Sequence, residues 1–227
     1  MNIVECEDVK KSYWQGKVEV PALRGVNLNV EKGGFVALAG PSGSGKTTLL
    51  NMMGGLDRVD SGRVTVDGES LVTMNQGRLA ELRLQKIGFV FQAYNLIPVL
   101  SALENVEFVM LLQGVSTKER RKQATEILDE VGLGDKHNRR PAELSGGQQQ
   151  RVAVARAIAS NPTIVLADEP TANLDSKTGR SLLEIMKEMN EQKEITFIFS
   201  THDEMVMDYA RRLIMIRDGL VDEVKTK

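Results

Sequence analysis

The chain has 227 residues, enough for one large domain with a sizeable core, or one domain carrying an inserted lobe, and too few for two unrelated full domains. Lys and Arg number 29 against 31 Asp and Glu, a net charge of -2, so no field is present that would hold nucleic acid or an acidic membrane surface unaided. The single cysteine, Cys6, alternates with Glu5 and Glu7 and is expected as a buried free thiol in a reducing, cytosolic compartment. The opening MNIVECEDVKK carries charges where a signal peptide needs an apolar region. Nowhere do about 18 apolar residues run uninterrupted, so no bilayer-spanning segment is expected.

In chain order, residues 3 to 30 read as short β-like runs alternating with turns. GGFVALAG, 33 to 40, is a compact apolar strand that leads directly into glycines, and a helix is expected from about Lys46 to Met53. SGRVTVDGES, 61 to 70, reads as a short strand and an Asp67-Gly68 turn, which implies an antiparallel patch beside the main sheet. KIGFVFQ, 86 to 92, is a further buried strand. Ser101 with Glu104 and Ser116 with Glu119 then stand in capping-box spacing ahead of two helical runs, so residues 93 to 159 read as a helical lobe. TIVLADEP (163 to 170) and ITFIFSTHD (195 to 203) are strands with a helix between them, a βαβ rhythm that calls for parallel pairing. The basic cluster at 118 to 122 is taken as a solvated helix face, and His137 as a structural or solvated histidine.

GPSGSGKTT, 40 to 48, fits the P-loop pattern and sits where phosphate binding requires it, between a strand and a helix N-terminus. The stretch comprises Gly40, Ser42, Gly43, Ser44, Gly45, Lys46, Thr47 and Thr48. Gly43 and Gly45 let successive N–H groups turn toward phosphate oxygens, Lys46 reaches the β- and γ-phosphates, and Thr47 offers a hydroxyl to Mg²⁺. IVLADEP ends in two carboxylates at a strand tip facing that loop. Adjacent strand residues point to opposite sides, so Asp168 is assigned to the Mg²⁺ shell and Glu169 to polarising the attacking water. His202, at the end of another strand, is placed to contact the γ-phosphate, and Gln92 to touch Mg²⁺ or the attacking water.

ELSGGQQQR, 143 to 151, has no catalytic parts. Ser145, Gly146 and Gly147, followed by Gln148, put a hydroxyl and backbone N–H groups at the head of an apolar helical run, which makes an anion receptor. The P-loop already takes the phosphates from one side. The receptor is therefore expected to face the γ-phosphate held by a second copy of the chain.

With GPSGSGKT, LSGGQ, VLADEP and STHD in this order and at these separations, the chain closely resembles, over nearly its whole length, the ATP-binding subunit of ABC transporters. The resemblance implies an α/β P-loop NTPase (RecA-like) core with an antiparallel β patch, residues 1–92 and 160–227, and an inserted helical subdomain, 93–159. It also implies a head-to-tail dimer enclosing two ATP molecules and Mg²⁺-dependent hydrolysis at the cytoplasmic face of the cell membrane. Carried over by position, Tyr13 would stack on adenine, with Trp14 a neighbouring candidate, and Asp175 would be the dimer-crossing aspartate of TANLD, 171 to 175. Within the family, ALRGVNLNV, FQAYNLIPVLSALENVEF, ADEPTANLDSKTG and MIRDGLV resemble the MacB and LolD group, which serves lipoprotein release, tripartite efflux and related envelope work. The group's usual glycine is Ala172 here, a small-for-small change. That likeness implies an integral membrane permease as partner, docked near AYNLIPVL (93 to 100), a stretch whose other reading is helical-lobe core. The competing readings are an FtsE-like regulator that transmits ATP-driven motion without moving cargo, a soluble ribosome-associated or nucleic-acid cassette, and a phosphate-binding module without catalysis. The third runs against the presence of Glu169 and His202.

Overall fold

In the computed structural model, which describes residues 1–227, the chain opens with two long strands, β1 (Asn2–Gln15) and β2 (Val18–Glu31), paired antiparallel. This corrects the expectation of short runs between turns. Register shifts between Cys6 and Val9, with Asp8 at φ 44°, break the period-two pattern without ending the ladder. Next come β3 (Phe35–Ala39), α1 (Lys46–Met53), β4 (Ser61–Val66) and β5 (Glu69–Ser70). Asp67 and Gly68 make the tight turn with φ of 49° and 78°, the left-handed pair that a two-residue hairpin needs.

α2 (Gln76–Lys86) was not anticipated; Asn75 caps it by accepting from the Arg78 N–H, and it buries only Leu79 and Leu82. β6 (Ile87–Val90) follows, then α3 (Ala102–Leu112), α4 (Thr117–Glu130) and α5 (Gly146–Ala159). The Ser101–Glu104 capping box is complete. At Ser116 only half of it forms, because the Glu119 carboxylate accepts from Gln123 instead. β7 (Ile164–Asp168), α6 (Ser176–Lys193) and β8 (Thr196–Thr201) make the expected βαβ unit, with β7 and β8 parallel. α7 (Glu204–Tyr209) and the hairpin of β9 (Arg212–Arg217) and β10 (Leu220–Thr226) complete the chain.

Two sheets result, a four-stranded antiparallel one in the order β2-β1-β4-β5 and a six-stranded one in the order β10-β9-β3-β8-β7-β6. In the larger sheet β3, β6, β7, β8 and β9 run parallel and carry apolar groups on both faces. Phe35, Ala37, Val165, Ala167, Phe197 and Phe199 join the cluster shared with α3 to α6. Val36, Leu38, Ile164, Leu166 and Ile198 join the opposite cluster, built with α1 and the antiparallel sheet. The alternation sets the sheet between two layers and leaves the carboxyl ends of β3, β7 and β8 open at one edge, where ligand sites form in sheets of this kind. Cys6 is buried in the second cluster, and burial pushes its thiol up to about 12. His137 pairs with Asp129 at 3.1 Å, and Lys118, Arg121 and Lys122 are exposed, as expected of a structural histidine and a solvated face.

Candidate functional site: a phosphate cleft and a separate anion receptor

The loop of residues 40 to 45 joins β3 to α1. Gly45 is the residue before α1, at φ 102°, and a Cβ there would stand 2.5 Å from the Ala22 carbonyl oxygen, so a side chain has neither the conformation nor the room. No side chain caps α1, which leaves its first N–H groups free. The Ser44 hydroxyl is buried beneath the loop with no partner in the protein. Lys46 is buried and donates to the carbonyls of Gly40 and Pro41, each at 2.8 Å. Desolvation lowers its pKa, and Glu169 and Asp168 act in the opposite direction. Free N–H groups, a cation and an orphan hydroxyl around a glycine-lined turn fit a polyphosphate.

Thr47 donates to Asp168 Oδ1 at 2.9 Å, so the two residues expected at the cation already face each other across α1 and β7. Oxygen ligands from a hydroxyl and a carboxylate suit Mg²⁺. Glu169 lies beyond the end of β7 in the left-handed region at φ 45°, which corrects the strand-alternation argument: the backbone turn, not the pleat, separates its direction from that of Asp168. Its N–H donates to the Ser200 carbonyl at 2.9 Å, its Oε1 lies 2.6 Å from His202 Nδ1, and its Oε2 accepts from Thr201 at 3.3 Å. Thr201 is a contact that sequence reasoning missed, although it stands beside His202 in STHD.

Ser42, Gly43, Gly45, Lys46, Thr47, Thr48, Gln92, Glu169 and His202 line one cleft of about 340 Å³. Asp168 joins it through Thr47. Tyr13, partly exposed, does not line it; its hydroxyl donates to Asp57 at 3.0 Å, and burial together with that carboxylate raises its pKa. Trp14 is 70% exposed.

The serine-glycine segment lies elsewhere. Ser145 caps α5, accepting from the Gln148 N–H at 3.4 Å, while Gln148 Oε1 accepts from the Ser145 N–H. The Gln148 carbonyl is thereby committed to the cap, and the Ser145 O–H keeps its proton to donate. Ser145, Gly147 and Gln148 line a second cleft, of about 240 Å³, with Lys136 and Arg151, and no residue is common to it and the phosphate cleft. Asp175 is exposed and caps α6 through the N–H groups of Lys177 and Thr178. Asn173 donates to the Gln92 carbonyl at 3.0 Å, tying segment 171 to 175 to the phosphate cleft.

Between α2, β6 and α3 runs an apolar groove of about 640 Å³, walled by Leu56, Phe89, Phe91, Ile97, Phe108 and Leu112 among others. Asn95 and Ile97 are the only members of residues 93 to 100 that line it; none of those eight residues is buried, and Leu96, partly buried, packs against the cluster shared with α3 to α6. No helix is long and apolar enough to cross a membrane.

The ABC transporter family description matches residues 23–172. An uncharacterized ABC transporter ATP-binding protein of Thermotoga maritima is 49% identical over 225 residues, 99% of this chain and 96% of that protein. The chain belongs to the ABC transporter family. It is an ATP-binding cassette of that family, an ATPase whose cofactors are ATP and Mg²⁺. The macrolide export ATP-binding/permease protein MacB of Syntrophobacter fumaroxidans is 47% identical over 98% of this chain, which spans 31% of that longer protein. Among solved structures, the cassette MJ0796 of Methanocaldococcus jannaschii, a dimer in a post-hydrolysis state bound to ADP and Pi, superposes with a TM-score of 0.92 at 45% identity over 98% of both chains. A cassette of Clostridium perfringens that is part of the cbiONQ transporter complex gives 0.88 at 28% identity, over 99% of this chain and 88% of that one.

Proposed function

We propose that two copies of this cassette close head to tail around two Mg-ATP, and that closing and reopening drive an integral membrane permease of the MacB or LolD kind. The cargo class is lipoprotein, lipid, drug or peptide moved across the envelope, and the cassette works peripherally on the cytoplasmic face of the membrane.

The observation that carries this reading is the separation of the two anion-binding surfaces. A single chain presents its phosphate cleft and its Ser145 segment as distinct clefts with no residue in common, which supports reading each as half of a site that a second copy completes. MJ0796, at 45% identity, is dimeric in its ADP- and Pi-bound state, which supports the pairing of two copies.

Within the closed pair, Gly40, Ser42, Gly43, Ser44, Gly45 and Thr48 hold the phosphates, Lys46 neutralises the β- and γ-phosphates, and Thr47 and Asp168 hold the cation. Bound Mg²⁺ supplies charge neutralisation on the phosphoryl oxygens. Glu169 takes the proton of the attacking water, His202 orients that carboxylate from 2.6 Å, and Gln92 contacts the cation or the water. Tyr13 stacks on adenine. Ser145, Gly146, Gly147 and Gln148 of the other copy donate to the γ-phosphate, and Asp175 reaches across the interface.

Residues 93–159 are read as a helical subdomain that moves against the core formed by 1–92 and 160–227. The permease docks at the apolar groove beside residues 93 to 100. In the MacB relatives, of which this chain spans 31% to 35%, the ATP-binding and permease names belong to one longer chain, which is why the occupant is assigned as a permease.

The deciding experiment is light scattering of Glu169→Gln with Mg-ATP, which is expected to give a particle of twice the 25.1 kDa chain mass. A species that stays at the mass of one chain under saturating Mg-ATP overturns the dimer. Phe108→Glu, in the groove wall, is expected to leave ATP-driven dimerisation intact and to abolish recovery of a bound permease from detergent-solubilised membranes.

A further inference from the structure

Arg156 stands in the last turn of α5 and takes part in no ion pair; burial alone lowers its pKa. A part-buried guanidinium without a carboxylate has to satisfy its donors on neutral oxygens. It does so on two consecutive carbonyls, Tyr94 O at 2.8 Å and Asn95 O at 2.5 Å. Tyr94 and Asn95 both lie in the left-handed region, at φ 59° and 51°, and neither is glycine. Two such residues in succession are unfavourable for L side chains and persist where surrounding contacts impose them.

The turn so held begins two residues after Gln92. The Gln92 carbonyl is fixed from the other side by Asn173, so the short segment 92 to 95 is tied at both ends, to α5 by Arg156 and to segment 171 to 175 by Asn173. Gln92 lines the phosphate cleft, whereas Asn95 and Arg156 line the apolar groove. We infer that Arg156 is a positioning residue for Gln92: its two-pronged grip on the Tyr94 and Asn95 carbonyls fixes the left-handed turn and thereby the reach of Gln92 into the cleft. This rests on the reading above that Gln92 serves the cation or the attacking water. A lysine keeps the charge but cannot offer the planar fork that spans two carbonyls.

The test is a set of steady-state ATPase measurements on Arg156→Lys, Gln92→Ala, the pair combined, and Arg156→Lys with Asn95→Gly. Arg156→Lys is expected to lower kcat by about tenfold, with KM for ATP and nucleotide affinity within about twofold of wild type. Combined with Gln92→Ala it adds no further loss, because both changes remove the same contact, whereas independent structural damage would multiply. Asn95→Gly accepts the left-handed conformation unaided and is expected to restore part of the lost kcat while also supporting folding of the lysine variant. Multiplicative losses, an unchanged kcat in Arg156→Lys, or no rescue by Asn95→Gly overturns the role of Arg156. If Gln92→Ala alone turns over at the wild-type rate, the assignment of Gln92 fails first, and the positioning role falls with it.

Discussion

His202 Nδ1 lies 2.6 Å from Glu169 Oε1, and Glu169 sits at φ 45° just past the end of β7. The left-handed turn swings the carboxylate out of the strand plane toward the phosphate cleft, and the imidazole then fixes it from just past the end of β8. Removing the carboxylate charge while keeping its shape separates proton abstraction from binding. Glu169→Gln is expected to lower kcat by roughly 10²-fold or more, with nucleotide affinity kept. Single-turnover ATP hydrolysis checks it, and a wild-type rate in that variant removes Glu169 from the base role.

Thr47 and Asp168 bond to each other at 2.9 Å, across 121 residues of sequence. An exposed hydrogen bond of this kind contributes only about 1 kcal/mol to stability, so its loss should hardly register in thermal unfolding. In the proposed role Thr47 is a hard-oxygen ligand of the cation, so its loss is expected to weaken cation binding far more. Thr47→Val is expected to leave the melting temperature within a few degrees of wild type and to shift the Mg²⁺ concentration for half-maximal ATPase upward by about tenfold or more. A Mg²⁺ titration that superposes on wild type would clear Thr47 of the metal role.

What was legible in the sequence follows from the range of the interaction involved. Local hydrogen-bond codes were readable: the box at Ser101–Glu104 and the Asp67-Gly68 turn are fixed by residues three or fewer apart, whereas the Ser145–Gln148 box, of the same kind, went unread. The glycine spacing and helix start of the P-loop belong to the same class. Ser116–Glu119 shows the limit, since a neighbour four residues on competes for the Glu119 carboxylate. α2 was missed because two buried leucines make too narrow a stripe to read. The β9–β10 hairpin was missed although Asp218-Gly219, at φ 49° and 75°, carries the turn signal used correctly at Asp67-Gly68. The left-handed Glu169 and the Arg156 grip on Tyr94 and Asn95 were out of reach. They depend on β8 and on partners 61 and 62 residues away.

Cys6 gives a pH dependence whose sign can be worked out. Burial in the core beneath β1 pushes its thiol up to about 12, while the unfolded chain titrates near the ordinary thiol value, about 8.5. Between those values the unfolded state has lost a proton that the folded state keeps, so stability falls as pH rises, by about 1.4 kcal/mol per unit. Below the unfolded value the thiol is protonated in both states and contributes no slope. Cys6→Ala carries a cavity cost that does not depend on pH. Urea unfolding of both proteins is expected to show a constant gap below pH 8 that narrows steadily from pH 9 upward. A gap of constant size through pH 11 would mean that water reaches the thiol.

Ser145 has an observed role and a proposed one, which one substitution can separate. Its oxygen caps α5 through the Gln148 N–H, and its proton is free for an anion arriving at the second cleft. Aspartate caps a helix about as well as serine, and its charge is favourable at a helix N-terminus. The same charge meets a γ-phosphate as a like-charged group. Ser145→Asp is therefore expected to fold as wild type, with a melting temperature unchanged or slightly raised, and to bind Mg-ATP as a single chain with wild-type affinity, because the phosphate cleft shares no residue with the receptor. In the Glu169→Gln background it should fail to form the ATP-dependent dimer. Light scattering at increasing ATP decides it: full dimerisation by the double variant would place the γ-phosphate away from α5, and a loss of single-chain ATP binding would mean that the two clefts are not independent.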